Sequence, residues 1–346
     1  MIDPASTTAV TDALAAYLDG RGDLDGAALA APLEPVGTGF DTYIYFFELA
    51  GRALPAGWDG PLVLRILPSP AHGERASREA AVQRFIAAAG YPAPAVVAWE
   101  DAGTELGLPF IIMQRAPGAT MLSRITARPW TMRRHLRSLA GLHARLHAMP
   151  IDGAPLQYDR PLVRVRLDAA AREEARRLGL QREFAWLEAH ASIVEDEQPV
   201  LTHNDFHPLN VLVDPATERM TVIDWSDVRL GDRHHDIART TVIFWIAAIA
   251  AGSAAERIVI GLTRGYMANT YLDAYRAQAP IEPVRLRYWQ AFHALHGAAQ
   301  VLALHIDDND HTIKQGSRDR VPARLAEDLL GYFHKHAQTR RSRMER

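Results

Sequence analysis

With 346 residues, 48% of them apolar and 23% charged, the chain is long enough for two lobes with ample cores and too apolar to be disordered. A formal net charge of −3 excludes electrostatic capture by nucleic acid or an anionic membrane as its organising function. No cysteine is present, which excludes disulfides, thiolate metal centres and cysteine nucleophiles.

The opening residues, Met1-Ile2-Asp3-Pro4, do not read as a signal peptide. The most apolar run, Thr240 to Ala251, is too short to span a bilayer, so a cytoplasmic protein is expected. Residues 5–19 carry Leu14, Tyr17 and Leu18 at helical spacing, and Gly20 can end that helix. A Gly/Asp-rich linker reaches Gly26. Three strands are then expected, at Leu33–Val36, Tyr43–Leu49 and Leu62–Leu67. The last is apolar except for Arg65. A cation inside an apolar strand needs a partner, and the next helix, Gly73 to Ala89, offers Glu79. Strands at Ala95–Glu100 and Phe110–Gln114 complete a β-β-β-α-β-β order, an antiparallel sheet with one inserted helix.

After Pro117-Gly118 the pattern turns helical. An amphipathic helix is expected over 130–148, one or two helices over 162–195, and further helices near 234–251, 254–277, 283–305 and 320–338. His143 and His147 share a helix face at the spacing of a zinc-binding pair. No third ligand is evident and the face is otherwise leucine, so both are expected in the core. The fold class is therefore α+β. A small lobe over 1–113, a hinge at 114–118 and a helical lobe over 119–346 are expected, with a ligand site in the cleft between lobes.

One stretch of the helical part differs, Thr202 to Trp225. His203, Asn204, Asp205, His207 and Asn210 precede a short strand, Val211–Val213; a turn leads to a second apolar run that ends on Asp224. Such a hairpin can aim Asp205, Asn210 and Asp224 at one point. Two carboxylates and an amide oxygen suit Mg²⁺, a hard cation that wants oxygen ligands, and the arrangement fits a phosphoryl-transfer site.

His203 to Asn210 fits H-x-D-x-x-x-x-N, and Val222-Ile223-Asp224-Trp225 supplies the later acid. These segments resemble the catalytic loop and metal-binding segment of the aminoglycoside phosphotransferase family, a relative of the protein kinases that includes choline and macrolide kinases. The resemblance covers roughly residues 30–305. It implies a two-lobe, protein-kinase-like fold. It also implies that Asp205 orients the substrate hydroxyl, and that Asn210, part of the catalytic loop, holds Mg²⁺ together with Asp224. Arg65 stands where the family has a lysine, with Glu79 as its helix partner; a planar fork replaces a point charge. Gly37, Thr38 and Gly39 occupy the nucleotide-loop position, although Thr42 stands where a third glycine would. The Gln114 carbonyl and the Ala116 N–H would meet a purine. His203 and Asp236 would support the loop, Asp236 from a helix N-terminus, and His207 would either shape the loop or contact phosphate.

For the acceptor, Asp307, Asp308 and Asp310 form an acidic run that would suit a cationic substrate, although a solvated loop is the preferred reading. Trp289, among the aromatics of the later helices, would suit a less cationic one. The expected function is a Mg²⁺-nucleotide-dependent O-phosphotransferase, with ATP or GTP as donor and a hydroxyl of an antibiotic or metabolite as acceptor. Neither nucleic acid nor membrane is an expected partner, and the chain would act as a monomer or homodimer. No A-P-E segment follows Asp224, which disfavours a protein substrate. The alternative is a nucleotide-binding module without catalysis, which the intact Asp205, Asn210 and Asp224 disfavour; a non-kinase protein with a metal-binding hairpin, such as a hydrolase, is a second rival.

Overall fold

The computed structural model describes residues 2–36, 42–51, 54–101, 104–246, 254–306 and 321–337. The chain divides into two compact units. One comprises Met1–Ala119, Gly153–Leu156 and Leu212–Ser226, the other Thr120–Asp152, Gln157–Val211 and Asp227–Arg346. The sequence reading placed the whole of Thr202 to Trp225 in the helical part. In the structure its second half, from Leu212, clusters with the β-rich unit.

The first unit contains α1 (Thr7–Asp19), β1 (Ala28–Leu29), β2 (Glu34–Val36), β3 (Tyr43–Phe47), β4 (Leu49–Ala50), β5 (Leu62–Ile66), α2 (Gly73–Ala88), β6 (Val96–Glu100) and β7 (Phe110–Gln114). Five strands form an antiparallel sheet in the order β2-β3-β5-β7-β6. Successive strand side chains point to opposite faces. On one face Leu62, Leu64, Ile66, Phe110 and Ile112 pack with Leu14, Tyr17 and Leu18 of α1. On the other, Ile111 and Met113 pack with Ala76 and Ala80 of α2. Burial on both faces explains why β5 reads as a continuous apolar run. Alternation also places Arg65 on the face opposite Leu64 and Ile66, where α2 carries Glu79.

β10 (Val211–Val213) and β11 (Met220–Val222) are joined by a turn in which Asp214 N donates to Arg219 O at 2.9 Å. Val222 N donates to Pro92 O at 2.7 Å, and the Tyr91 and Trp225 rings meet edge to face at 5.7 Å. These contacts tie the segment carrying Asp224 to the connection between α2 and β6. Gly118 leads into β8 (Ala119–Thr120) with φ +103°, and a Cβ there would lie 2.1 Å from Val213 O. Only glycine meets both demands.

The second unit contains α3 (Met121–Ala127), α4 (Met132–His147), α5 (Leu162–Arg166), α6 (Ala169–Arg177), α7 (Gln181–Ala189), α8 (Arg233–Ile246), α9 (Ala254–Arg276), α10 (Pro283–Ile306) and α11 (Arg324–Ala337). β9 (Val200–Thr202) pairs antiparallel with β12 (Arg229–Gly231). α10 packs on α8 and α11, and α4 packs on α9. Over 162–195, where one or two helices were expected, three short ones form. Asp168 caps α6 by accepting from Ala171 N at 2.8 Å, and Gly179, at φ +74°, separates α6 from α7. Among the described residues no helix is long and apolar enough to cross a membrane.

Gly118→Ala tests the close approach. We expect a loss of about 2–4 kcal/mol of stability from combined strain and backbone overlap. Gly60 has a similar φ of +104° but nothing within 4 Å of its Cβ position, so Gly60→Ala should cost only about 1 kcal/mol. Urea unfolding of both variants decides; equal losses would remove the steric argument.

Candidate active site

Asp205 follows β9 in a tight polar turn. Asn204 before it has φ +62°, a left-handed conformation that short polar side chains tolerate best. Three local bonds hold it there. Asn204 N donates to Asp236 Oδ1 at 2.9 Å, and Asn204 Nδ2 donates to Thr202 Oγ1 and to Asp227 O, each at 2.9 Å. His203 N donates to Asp236 Oδ2 at 2.6 Å. The Asp236 carboxylate thus takes two successive backbone amides and sets the direction in which the next residue projects.

Asp205 is surrounded by donors. Its Oδ2 accepts from Asn210 Nδ2 at 2.9 Å and lies 3.1 Å from His207 Nε2, while Oδ1 lies 3.4 Å from Arg239 Nη2. His207 Nδ1 accepts from Leu209 N at 3.3 Å. That nitrogen therefore carries no proton, and Nε2–H is the donor to Asp205. Burial alone would raise the Asp205 pKa, but the His207 hydrogen bond and the nearby Arg239 guanidinium hold it well below the usual carboxylate range. Asp205 is thus an ionised carboxylate, 28% exposed at its side chain, with fixed orientation. Asn210 Nδ2 is spent on Asp205 O and Oδ2, which turns the amide so that its oxygen is the group left for another ligand.

In the first unit, Arg65 is buried and each guanidinium nitrogen has its own partner. Nε reaches Thr42 Oγ1 at 3.4 Å, Nη1 pairs with Glu79 Oε1, and Nη2 lies 3.4 Å from Asp224 Oδ1. Asp224, just beyond β11, has φ +65° and also accepts from Ser226 Oγ at 3.0 Å. Its side chain is 40% exposed. Gln114 ends β7, half-buried, with its N–H donating to Ala95 O at 2.9 Å; Ala116 follows two residues later.

Two groups come together among the sequence-derived candidates: His203, Asp205, His207, Asn210 and Asp236 in the second unit, and Arg65, Glu79 and Asp224 in the first. Gly37, Thr38 and Gly39 lie outside the described residues, as do Asp307, Asp308 and Asp310. Trp289 needs correction. Its side chain is fully buried, and its indole N–H donates to Asp232 Oδ2 at 2.9 Å, so it belongs to the core of the helical unit and offers no surface to an acceptor.

The histidine pair is buried, as expected. The third group that the sequence did not reveal is Asp236, whose Oδ2 lies 2.9 Å from His143 Nε2 and 3.2 Å from His147 Nε2. The three side chains are buried and could geometrically hold a metal ion. Both carboxylate oxygens already accept backbone amides, and Tyr271 and Tyr275 hydroxyls bond the two Nδ1 atoms, at 2.5 and 2.7 Å. The cluster is a hydrogen-bonded brace beneath the loop. Sequence reasoning also missed Arg239, which donates from Nε to Asn204 O at 2.8 Å. The available signal was its spacing, one helical turn after Asp236 on α8.

One unit thus carries an Arg–Glu pair between strand and helix and the later acid Asp224, and the other carries the aspartate and asparagine of H-x-D-x-x-x-x-N. Comparison with known proteins identifies the family. The family model for the phosphotransferase enzyme family matches residues 32–277, and the chain belongs to that family. Aminoglycoside 3′-phosphotransferase of Streptomyces fradiae is 32% identical over 168 residues, 43% of this chain and 57% of that enzyme. Acyl-CoA dehydrogenase family member 10 of Mus musculus is 27% identical over 253 residues, 68% of this chain and 22% of that protein. The chain thus spans less than two thirds of either curated relative. The ternary complex of a thermostable mutant of aminoglycoside phosphotransferase APH(4)-Ia with AMP-PNP and hygromycin B shares the fold, with a TM-score of 0.63 at 18% identity over 95% of this chain and 99% of that one.

The brace carries a pH signature. Burial, then the neighbouring His143, push His147 down to about 4 against the pull of Asp236. The unfolded chain protonates this residue near 6.5. Stability is therefore full above pH 6.5 and falls as pH drops towards 4, by at most ~3 kcal/mol. Urea midpoints across this window should fall less steeply for His147→Gln than for the parent; parallel curves would show that His147 contributes nothing.

Proposed function

We propose that the protein is a small-molecule kinase, transferring the γ-phosphate of a magnesium-bound nucleotide to a hydroxyl of an antibiotic-like compound or metabolite. The observation that carries this reading is the state of Asp205, an ionised carboxylate held by Asn210, His207 and Arg239 at the third position of H-x-D-x-x-x-x-N. Asp205 accepts a hydrogen bond from the acceptor hydroxyl and points its oxygen at the γ-phosphorus. The new O–P bond forms as the bridging β–γ O–P bond breaks, and the nucleoside diphosphate leaves. The hydroxyl proton passes to Asp205 or to water late in the step, so a strongly basic carboxylate is not required.

The donor set fits a hard divalent cation: the Asn210 amide oxygen and the Asp224 carboxylate would hold it, and it would neutralise charge on the phosphate oxygens. Arg65, braced by Glu79, is assigned to the donor phosphates, and the backbone at Gln114 and Ala116 to the base.

Thermal shift with MgATP and MgGTP tests the donor, and we expect one or both to stabilise the protein at millimolar concentration. Asp205→Ala should lose transfer by ~10²-fold or more and keep the nucleotide-induced shift. Activity within about tenfold of the parent would refute the role of Asp205. Nucleotide binding without turnover on any acceptor would instead mark a binding module.

A further inference from the structure

The charge around the catalytic loop points to the chemistry of the acceptor. α8 carries Arg233 and Arg239 and one acid, Asp236, which the histidine brace and two backbone amides consume. α10 has no Asp or Glu in 24 residues, and carries Arg285, Arg287, His293 and His296. Beside the loop, Arg229 on β12 donates from Nε to Asp227 O at 3.3 Å, the same carbonyl that Asn204 Nδ2 bonds. Arg239 contacts both Asn204 and Asp205.

Arg166, at the end of α5, joins this cationic group. The two buried arginines among the described residues are paired, Arg285 with Asp196 and Asp232, and Arg65 with Glu79 and Asp224, whereas Arg166 is half-buried. Arg166 Nε is buried with no hydrogen-bond partner among the described residues. Burial, then the Arg229 and Arg239 charges, push its pKa down to about 10, opposed by Asp227. It remains cationic at neutral pH. His235 lies alongside, 1% exposed, with neither ring nitrogen hydrogen-bonded among the described residues, and its ring centroid is 4.2 Å from that of His293. Like charges crowd here beside polar atoms that have no hydrogen-bond partner among the described residues. An oxyanion would relieve both conditions.

We propose that the acceptor is an anion, a small hydroxylated molecule bearing a carboxylate or phosphate group held by Arg166 together with Arg229 and Arg239. This rests on the kinase reading of Asp205 and narrows it. A polycationic aminoglycoside would meet three arginines where it needs carboxylates, so it is a poor substrate.

The test uses the full chain loaded with saturating Mg²⁺ and AMP-PNP, so that the donor site is filled. Thermal midpoints are then followed with a chain-length series of hydroxycarboxylates from glycolate upward, with glycerol 3-phosphate, and with kanamycin. At least one oxyanion should raise the midpoint further, and the two arms separate carboxylate from phosphate. Arg166→Gln should weaken that response roughly tenfold or more. Arg166→Lys should recover part of it, and neither variant should alter the AMP-PNP shift. In turnover with the responding compound, KM should rise in Arg166→Gln with kcat little changed. The proposal is overturned if kanamycin stabilises more than every oxyanion, if no oxyanion responds, or if a folded Arg166→Gln or Arg166→Lys protein behaves as the parent. Failure of AMP-PNP itself to shift the midpoint would overturn the nucleotide reading and this one with it.

Discussion

The Asp236 carboxylate is the contact on which the catalytic loop depends. It sits buried in the first turn of α8 and accepts the backbone amides of His203 and Asn204, with two imidazoles against the same group. A buried carboxylate is costly unless its oxygens are filled. Here they are filled by the loop it must shape, so its solvation and the loop's conformation are one problem with one solution. The left-handed turn at Asn204 is strained in isolation. Two successive amides aimed at one carboxylate offset that strain and project Asp205 outward. Asp236 is far below the usual carboxylate range, held there by His143 and His147 despite burial, so the brace keeps its charge throughout the neutral range.

The first unit solves a similar problem with a different residue. A lysine at position 65 would bring one nitrogen to the face of β5 that α2 covers. Arginine brings three, and the structure uses each on a separate partner, Thr42, Glu79 and Asp224. Its planar fork fixes these partners relative to one another more tightly than a point charge can. The arginine therefore ties Asp224 to the strand–helix pair directly. Asp224 occupies the left-handed region, as Asn204 does. Both short polar residues stand where a larger side chain would strain the backbone.

Much of this was legible in the sequence because it is local. Period-2 alternation marks the strands, and the apolar run around Arg65 signals a strand covered on both faces. H-x-D-x-x-x-x-N places Asp205 and Asn210 five residues apart, within reach of one hydrogen bond. Contacts between distant segments were not legible. His147 and Asp236 are separated by 89 positions, and no pattern on α4 announces a carboxylate from α8. Trp289 misled because an aromatic on an amphipathic helix looks the same whether it lines a pocket or fills a core; only its buried bond to Asp232 decides. Arg166 was visible only as one of several arginines after residue 162. What distinguishes it is a buried Nε with no hydrogen-bond partner among the described residues, which is a property of the fold.

The cations beside Asp205 bear on mechanism as well as recognition. Positive charge near a carboxylate lowers its basicity, so an enzyme that relied on Asp205 to strip a proton early would be impaired by Arg239. Phosphoryl transfer with a loose transition state needs little proton movement before the phosphorus–oxygen bond has largely formed. On the proposed reading the carboxylate's work is to orient the hydroxyl, and the fixed donors from Asn210 and His207 serve that orientation. A reaction tolerant of a weak base leaves the surrounding residues free to be chosen for another task. In the described parts of this chain, those choices are arginine and histidine rather than carboxylate.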